Sequence, residues 1–140
     1  MISLAEISGM IVHCAFHDAE IVGLSFFSGR RATIQFEHID CYVRIDSENF
    51  EVWSLQASVG LCAVTAVDFR GAVDEGGVLE GKLCDQTRQQ IRLVTPESIR
   101  VARYFEMISA QSQLTVEMGS ASLDIVGINE FRKIYRGDLR

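Results

Sequence analysis

Proline is nearly absent from the chain: Pro96 stands alone among 140 residues. Proline removes a backbone donor from a sheet ladder, so its scarcity leaves room for long uninterrupted strands. Positive charge is also in deficit, with 13 Lys and Arg against 19 Asp and Glu, for a net charge of −6. A surface of that sign repels phosphate backbones unless a local patch reverses it. The one basic run, Arg132, Lys133, Arg136 and Arg140, has only Phe131 and Tyr135 beside it as stacking platforms and reads as a solvated terminal segment. Nucleic acid is therefore not the expected partner.

Long apolar runs are missing as well. No uncharged stretch approaches the roughly 18 residues that a bilayer-spanning helix requires. The opening residues, Met1 to Asp18, contain no Lys or Arg and carry Glu6, whereas a secretory leader needs a basic start and a clean apolar segment. The expectation is a cytoplasmic protein without membrane association. Cys14, Cys41, Cys62 and Cys84 are widely spaced with no C-x-x-C pair. In a reducing compartment such cysteines are most simply small buried hydrophobes. The chain also lacks a Gly-rich phosphate loop, a nucleophile elbow and an H-E-x-x-H motif.

What remains is an ordinary globular composition, 48% hydrophobic and 23% charged, in a length that suits one domain over residues 1–140. Ser3-Leu4-Ala5-Glu6 has capping-box form, and Leu4, Ile7 and Ile11 follow at helical spacing, with Gly9 limiting the helix to one or two turns. From Glu20 the period becomes two. Val22, Leu24 and Phe26 alternate with Ile21, Gly23 and Ser25; Ser28-Gly29-Arg30 turns the chain; Ala32, Ile34 and Phe36 alternate with Thr33, Gln35 and Glu37. That pattern predicts a half-buried hairpin. Cys41, Val43 and Ile45 predict a third strand, ended by Asp46 to Asn49. Val59 to Phe69 is apolar on both faces and predicts a central, doubly covered strand. Asp74 to Gly77 predicts a turn, Val78 to Cys84 a return strand, and Gln89 to Val94 a further short one.

Residues 96–108 read either way. Thr95 and Pro96 resemble a helix start, yet Ile99, Val101, Arg103, Phe105 and Met107 alternate as a strand face. A turn followed by a strand from about Tyr104 to Ser109 fits both. Ala110 to Gln113 turns the chain, and Leu114, Val116 and Met118 with Leu123 and Ile125 predict the last hairpin. The sum is a mainly β chain, α+β at most: a single domain of antiparallel sheet, sandwich- or barrel-like, with one or two short helices.

The chemistry-bearing residues concentrate in two segments, Cys14-Ala15-Phe16-His17-Asp18 and His38-Ile39-Asp40-Cys41. Cys14, His17, His38 and Cys41 have the donor types of a zinc site. In extended backbone, however, residues three apart point to opposite faces, so the four converge only if the ladder breaks near Asp18. A thiol or metal-dependent hydrolase would use His17 or His38 as base, Asp18 or Asp40 to orient it and Cys41 as nucleophile. Adjacent His17 and Asp18 on a strand would point apart, which disfavours that pairing. The plainer reading makes Phe16 a core anchor, Asp18 a cap at the strand entry, His17 a strand-edge filler and His38 a core histidine continuing the Ala32–Ile34–Phe36 face.

Phe16-His17-Asp18-Ala19-Glu20-Ile21, then Ile34-Gln35-Phe36, Trp53 and Val67-Asp68-Phe69-Arg70-Gly71, resemble small bacterial β-rich domains in which an HD-x-x-hydrophobic segment opens the first long strand. Some of these are similar to immunity proteins that neutralise a cognate toxin. The resemblance implies a structural role for His17 and Asp18 and no cofactor. The expected function is accordingly a non-catalytic, protein-binding domain with an acidic surface suited to a basic partner. Exposed strand edges would also permit homo-oligomers. The rivals are the His/Asp/Cys hydrolase, with zinc as the alternative cofactor, and a small-ligand carrier whose cavity would be lined by Phe26, Phe36, Val64 and Phe69.

Overall fold

The computed structural model describes residues 3–44, 46, 48–71, 76–77, 80–109 and 112–137. Ile45, the turn at 74–75, the strand start at Val78 and Ala110-Gln111, all expected from the sequence, lie outside the described residues, as does Arg140. The chain is mainly β. A short helix, α1 (Leu4–Met10), is followed by β1 (Ile11–Phe27), β2 (Arg31–Arg44), β3 (Asn49–Cys62), β4 (Ala66–Gly71), β5 (Gly76–Gly77), β6 (Glu80–Cys84), a 3-10 turn at Ser98–Val101, β7 (Tyr104–Ile108), β8 (Ser112–Glu117) and β9 (Ser120–Arg136). Two antiparallel sheets result, with orders β5-β1-β2-β3-β9 and β4-β8-β7-β6.

Helix α1 starts where the capping box places it: the Ser3 hydroxyl accepts the Glu6 amide at 3.1 Å. Its buried residue, Ile7, enters the same core as Ile34, Ile39, Val43, Leu55 and Val59 from the larger sheet and Leu83, Phe105 and Val116 from the smaller. Phe16 anchors that core as expected, stacked on Phe36 at 5.6 Å between centroids and edge-on to Phe105 at 5.8 Å. Such tilted and T-shaped pairs add to area burial.

Several strand expectations change. The expected third strand at Cys41 continues the second as part of β2; residues 49–58, for which the sequence predicts no strand, belong to β3; and Gly76 and Gly77, expected in a turn, form β5. The first long strand begins at Ile11, nine residues before the alternation becomes regular at Glu20. Val59 to Phe69 is not one central strand. Ala63 turns with φ 51°, so β3 ends at Cys62 in one sheet and β4 starts at Ala66 in the other, where all six of its residues are exposed. Gly119 permits this crossover: its amide donates to the carbonyls of Cys62 and Ala63, and a Cβ there would lie 2.9 Å from that of Ala63. Gln89 to Val94 forms no strand, only a bridge from Gln90 to Cys84. Beyond it Thr95 and Ser98 cap each other's amides ahead of the 3-10 turn, and β7 then starts at Tyr104.

The last strand departs most from expectation. Arg132, Lys133 and Arg136 belong to β9, which pairs with β3 down to Arg136 against Asn49. Its register slips between Val52 and Trp53, Ser54 and Leu55, and Gln56 and Ala57, leaving Arg132, Asn129 and Val126 unopposed. Each slip is a β-bulge, two residues against one. The bulges place Ile125, Ile128, Phe131 and Ile134 opposite Ala57, Leu55, Trp53 and Glu51, a three-residue apolar repeat in an extended strand.

The segment after β6 is tied to β1 at one point. Cys14 donates its amide to the Val94 carbonyl at 2.8 Å, and the Val94 amide donates to His13 Nδ1 at 3.0 Å. Burial holds the His13 pKa below the usual histidine value, keeping the imidazole neutral and able to accept. A histidine depressed by folding contributes stability that is present above its unfolded pKa, near 6.5, and is lost as pH falls through the folded value. Unfolding midpoints in urea should fall between pH 7.5 and 5, and His13→Gln should flatten that slope; an unchanged slope would exclude the clamp.

Candidate functional site

The structure separates the predicted cluster into three. Cys14 and Cys41 are direct partners across β1 and β2, both fully buried, with their sulfurs 2.8 Å apart. On either side of that pair His13 opposes Tyr42 and Ala15 opposes Asp40, so His17 lies beyond the regular ladder. Burial and the neighbouring Cys14 push the Cys41 thiol well above the ordinary cysteine range. A thiol held protonated is a poor nucleophile, which leaves Cys41 unsuited to the hydrolase role.

The ladder does break near Asp18, but the break disperses the donor set. Phe16 to Ala19 oppose the single residue Ile39 before pairing resumes at Glu20 and His38. Within this wide bulge Asp18 adopts φ 59°, in the left-handed region that aspartate tolerates better than most residues. That turn folds the Asp18 carboxylate back to His17 Nε2 at 3.2 Å, correcting the expectation that the two point apart. Both side chains are about three-quarters exposed, 75% and 74%, while the sulfurs are sealed in the core. His17 and the thiols therefore do not share a centre, and among the described residues no three His, Cys, Asp or Glu side chains gather as a metal would require.

The third group is the most site-like, and sequence reading missed most of it. A bulge between Phe36 and Ile39 sets Glu37 and His38 against Gln56 alone. Phe36 and Ile39 both remain buried, so His38 leaves the core face on which it was expected and joins Asp40 on the outer face. There His38 Nδ1 meets Ser54 Oγ at 2.5 Å. Its Nε2 lies 3.2 Å from Arg132 Nη1 and 3.4 Å from Asp40 Oδ1, and Arg132 also reaches Asp40 at 3.3 Å. Asn129 donates to Ser54 Oγ at 3.1 Å and to the Glu37 carbonyl at 2.8 Å. Gln56 completes the row by donating to the Glu37 carboxylate at 3.0 Å. Its amide lies over Gly127, where a Cβ would sit 2.6 Å from the Gln56 oxygen.

The unopposed residues of β9, Asn129 and Arg132, thus reach over β3 to grip β2. Only a bulge gives them that reach, because a regular register would alternate them with neighbours on the inner face. The protonation pattern follows from donor chemistry. A guanidinium only donates, so His38 Nε2 accepts when Arg132 is its partner, which puts the ring proton on Nδ1 toward Ser54, and donates when Asp40 Oδ1, 3.4 Å away, is its partner. With the proton on Nδ1, Ser54 Oγ receives two donors, from His38 and Asn129. Ser54 is 3% exposed, and among the described residues no buried side-chain nitrogen or oxygen lacks a partner. The arrangement joins three strands.

No family model matches the chain, and no curated protein or solved structure is similar to it. The carrier geometry is also absent where it was sought. Phe36 is 2% exposed within the packed core, whereas Phe26 and Phe69 are about half exposed, at 53% and 44%. A shallow, open depression lies instead beside Phe27, Arg31, Gly60 and Cys62.

Nitrogen-15 spectra of the imidazoles test the assigned tautomer. His38 should carry its proton on Nδ1 at neutral pH if Arg132 is its Nε2 partner, and Ser54→Ala should cost about 0.5–1.5 kcal/mol by removing the acceptor shared by His38 and Asn129. A proton on Nε2, with Nδ1 accepting from Ser54, would restore the catalytic alternative.

Proposed function

We propose that this chain is a non-catalytic, protein-binding domain that docks a basic partner through apolar strips on β1 and β4. The observation that carries this reading is apolar surface on the core-facing side of both strands. Leu24 and Phe26 pair with Ile34 and Ala32, and Val67 and Phe69 pair with Val116 and Leu114. Those four partners are 0–2% exposed, yet Leu24, Phe26, Val67 and Phe69 are 36–53% exposed. Directly opposed residues share a face of the sheet, so each strip continues an inner face beyond the packed core. Val22 and Phe27 are also exposed, at 57% and 52%, but Phe27 pairs with Arg31 and lies on the opposite face from Phe26.

Contiguous exposed apolar surface rimmed by polar groups is characteristic of interaction sites, and aromatic anchors contribute most of the binding energy in them. β4 is in addition an edge strand, open to pairing on one side. The net charge of −6 favours encounter with a partner of opposite sign. Likeness to immunity proteins at Phe16 to Ile21 would make that partner a toxin, bound and neutralised. The hydrogen-bonded outer face, with His38 and Ser54 mutually saturated, supports binding over catalysis.

Affinity capture with the wild-type chain and with a Phe26→Glu, Phe69→Glu double variant tests the proposal. One partner of basic pI should be retained by the wild type, released as ionic strength rises, and bound at least 100-fold more weakly by the variant. The variant should keep its melting temperature, since both rings are already half in solvent. Equal retention by both chains would refute docking through these strips.

A further inference from the structure

The geometry points to a modification site between Cys14 and Cys41: a cross-strand disulfide, formed by exchange with a low-molecular-weight disulfide, that locks β1 to β2. This goes beyond binding and does not depend on it. Three observations carry it. The residues are direct Cα partners on neighbouring antiparallel strands. Their sulfurs lie 2.8 Å apart, already inside the ordinary contact distance of two sulfur atoms. The Cys14 amide donates to the Val94 carbonyl, and so points away from β2. That orientation marks the 14/41 pair as the non-hydrogen-bonded kind, whose Cα atoms approach to about 4.5 Å. Disulfides span Cα separations of about 4.4–6.8 Å, so the bond closes without moving either strand.

In the exchange, one cysteine thiolate attacks a small disulfide, R–S–S–R, forming a mixed disulfide and releasing one RS⁻. The second cysteine displaces the other RS⁻. The two thiols are oxidised to Cys14–S–S–Cys41, the small disulfide is reduced to two RSH, and the cysteine protons end on the released thiolates. Both sulfurs are fully buried, so exchange proceeds from an opened or still-unfolded chain, and the folded sheet then shields the bond. Cys62 is exposed and Cys84 sits in the smaller sheet, so neither competes for the pair. The bond would close a loop with a sequence separation of 27 residues around the first hairpin. Loops of that size restrict the unfolded chain enough to raise a small domain's melting temperature by about 5–15 °C.

The test refolds the full chain from denaturant in glutathione buffers of graded oxidised-to-reduced ratio, followed by intact mass and peptide mapping after alkylation. The expected result is loss of two hydrogens' mass, a single 14–41 linked peptide, and Cys62 and Cys84 still alkylated. The oxidised protein should melt higher than the reduced one, and the difference should vanish in Cys41→Ser and in Cys14→Ala. Should either variant fail to fold, the peptide map and the reduced-against-oxidised melting shift of the wild type decide alone. Full alkylation at both positions in the most oxidising buffer, linkage through Cys62 or Cys84, or a lower melting temperature on oxidation would overturn the assignment.

Discussion

The larger sheet depends on one constraint: every strand must keep its apolar side chains on the inner face while the sheet twists and its long members bend. β3 runs without insertion over 14 residues, whereas the other long strands β1, β2 and β9, of 17, 14 and 17 residues, do not. Extra residues solve the conflict. β1 inserts them at Phe16 to Ala19, β2 at Glu37 and His38, and β9 at Val126, Asn129 and Arg132. In β2 the insertion keeps Ile39 buried and carries His38 outward; in β9 it frees Asn129 and Arg132 together with the exposed Val126.

The polar row on the outer face follows from those insertions. His38 is outward because its bulge restores Ile39 to the core, and Arg132 and Asn129 reach it because their own bulges free them from pairing. The outer face is thereby closed by mutual hydrogen bonds. Apolar surface is instead left open where the inner faces run past the core, on β1 and β4. The conspicuous His38, Ser54 and Asp40 side chains hold strands together, and the exposed strips on β1 and β4 are where the proposed partner would dock. The buried cysteine pair sits one residue pair from the largest interruption in the β1–β2 ladder.

Much of the architecture could be read from local rules. The Ser3 cap, the Val22–Phe36 hairpin, the Tyr104 strand and the β8–β9 turn near Gly119 follow from capping, alternation and turn chemistry. Most misreadings share one physical cause. Scanning for period two fails wherever a bulge changes the count, so the strand was not followed past Ile125 to Ile128, Phe131 and Ile134, and the basic run was taken for a solvated tail. His38 was assigned inward by the same counting, and His17 and Asp18 were set apart because Asp18 was assumed extended. Val59 to Phe69 looked doubly buried since nothing in it announces that Ala63 would adopt a positive φ. Of the candidate site, Cys14, His38, Asp40 and Cys41 were visible as residue types. Ser54 and Asn129 were not, because no motif links positions joined only by bulged register.

The register of β3 against β9 tests this account most directly, through cross-strand Hα and amide contacts in a nuclear Overhauser spectrum. Bulged pairing predicts contacts of Trp53 with Phe131 and of Leu55 with Ile128, leaving Asn129 and Arg132 without a direct partner. A ladder continuing unbroken from Ala57 and Ile125 would instead bring Trp53 opposite Asn129. That contact would contradict the bulges, and with them the outer-face network they build.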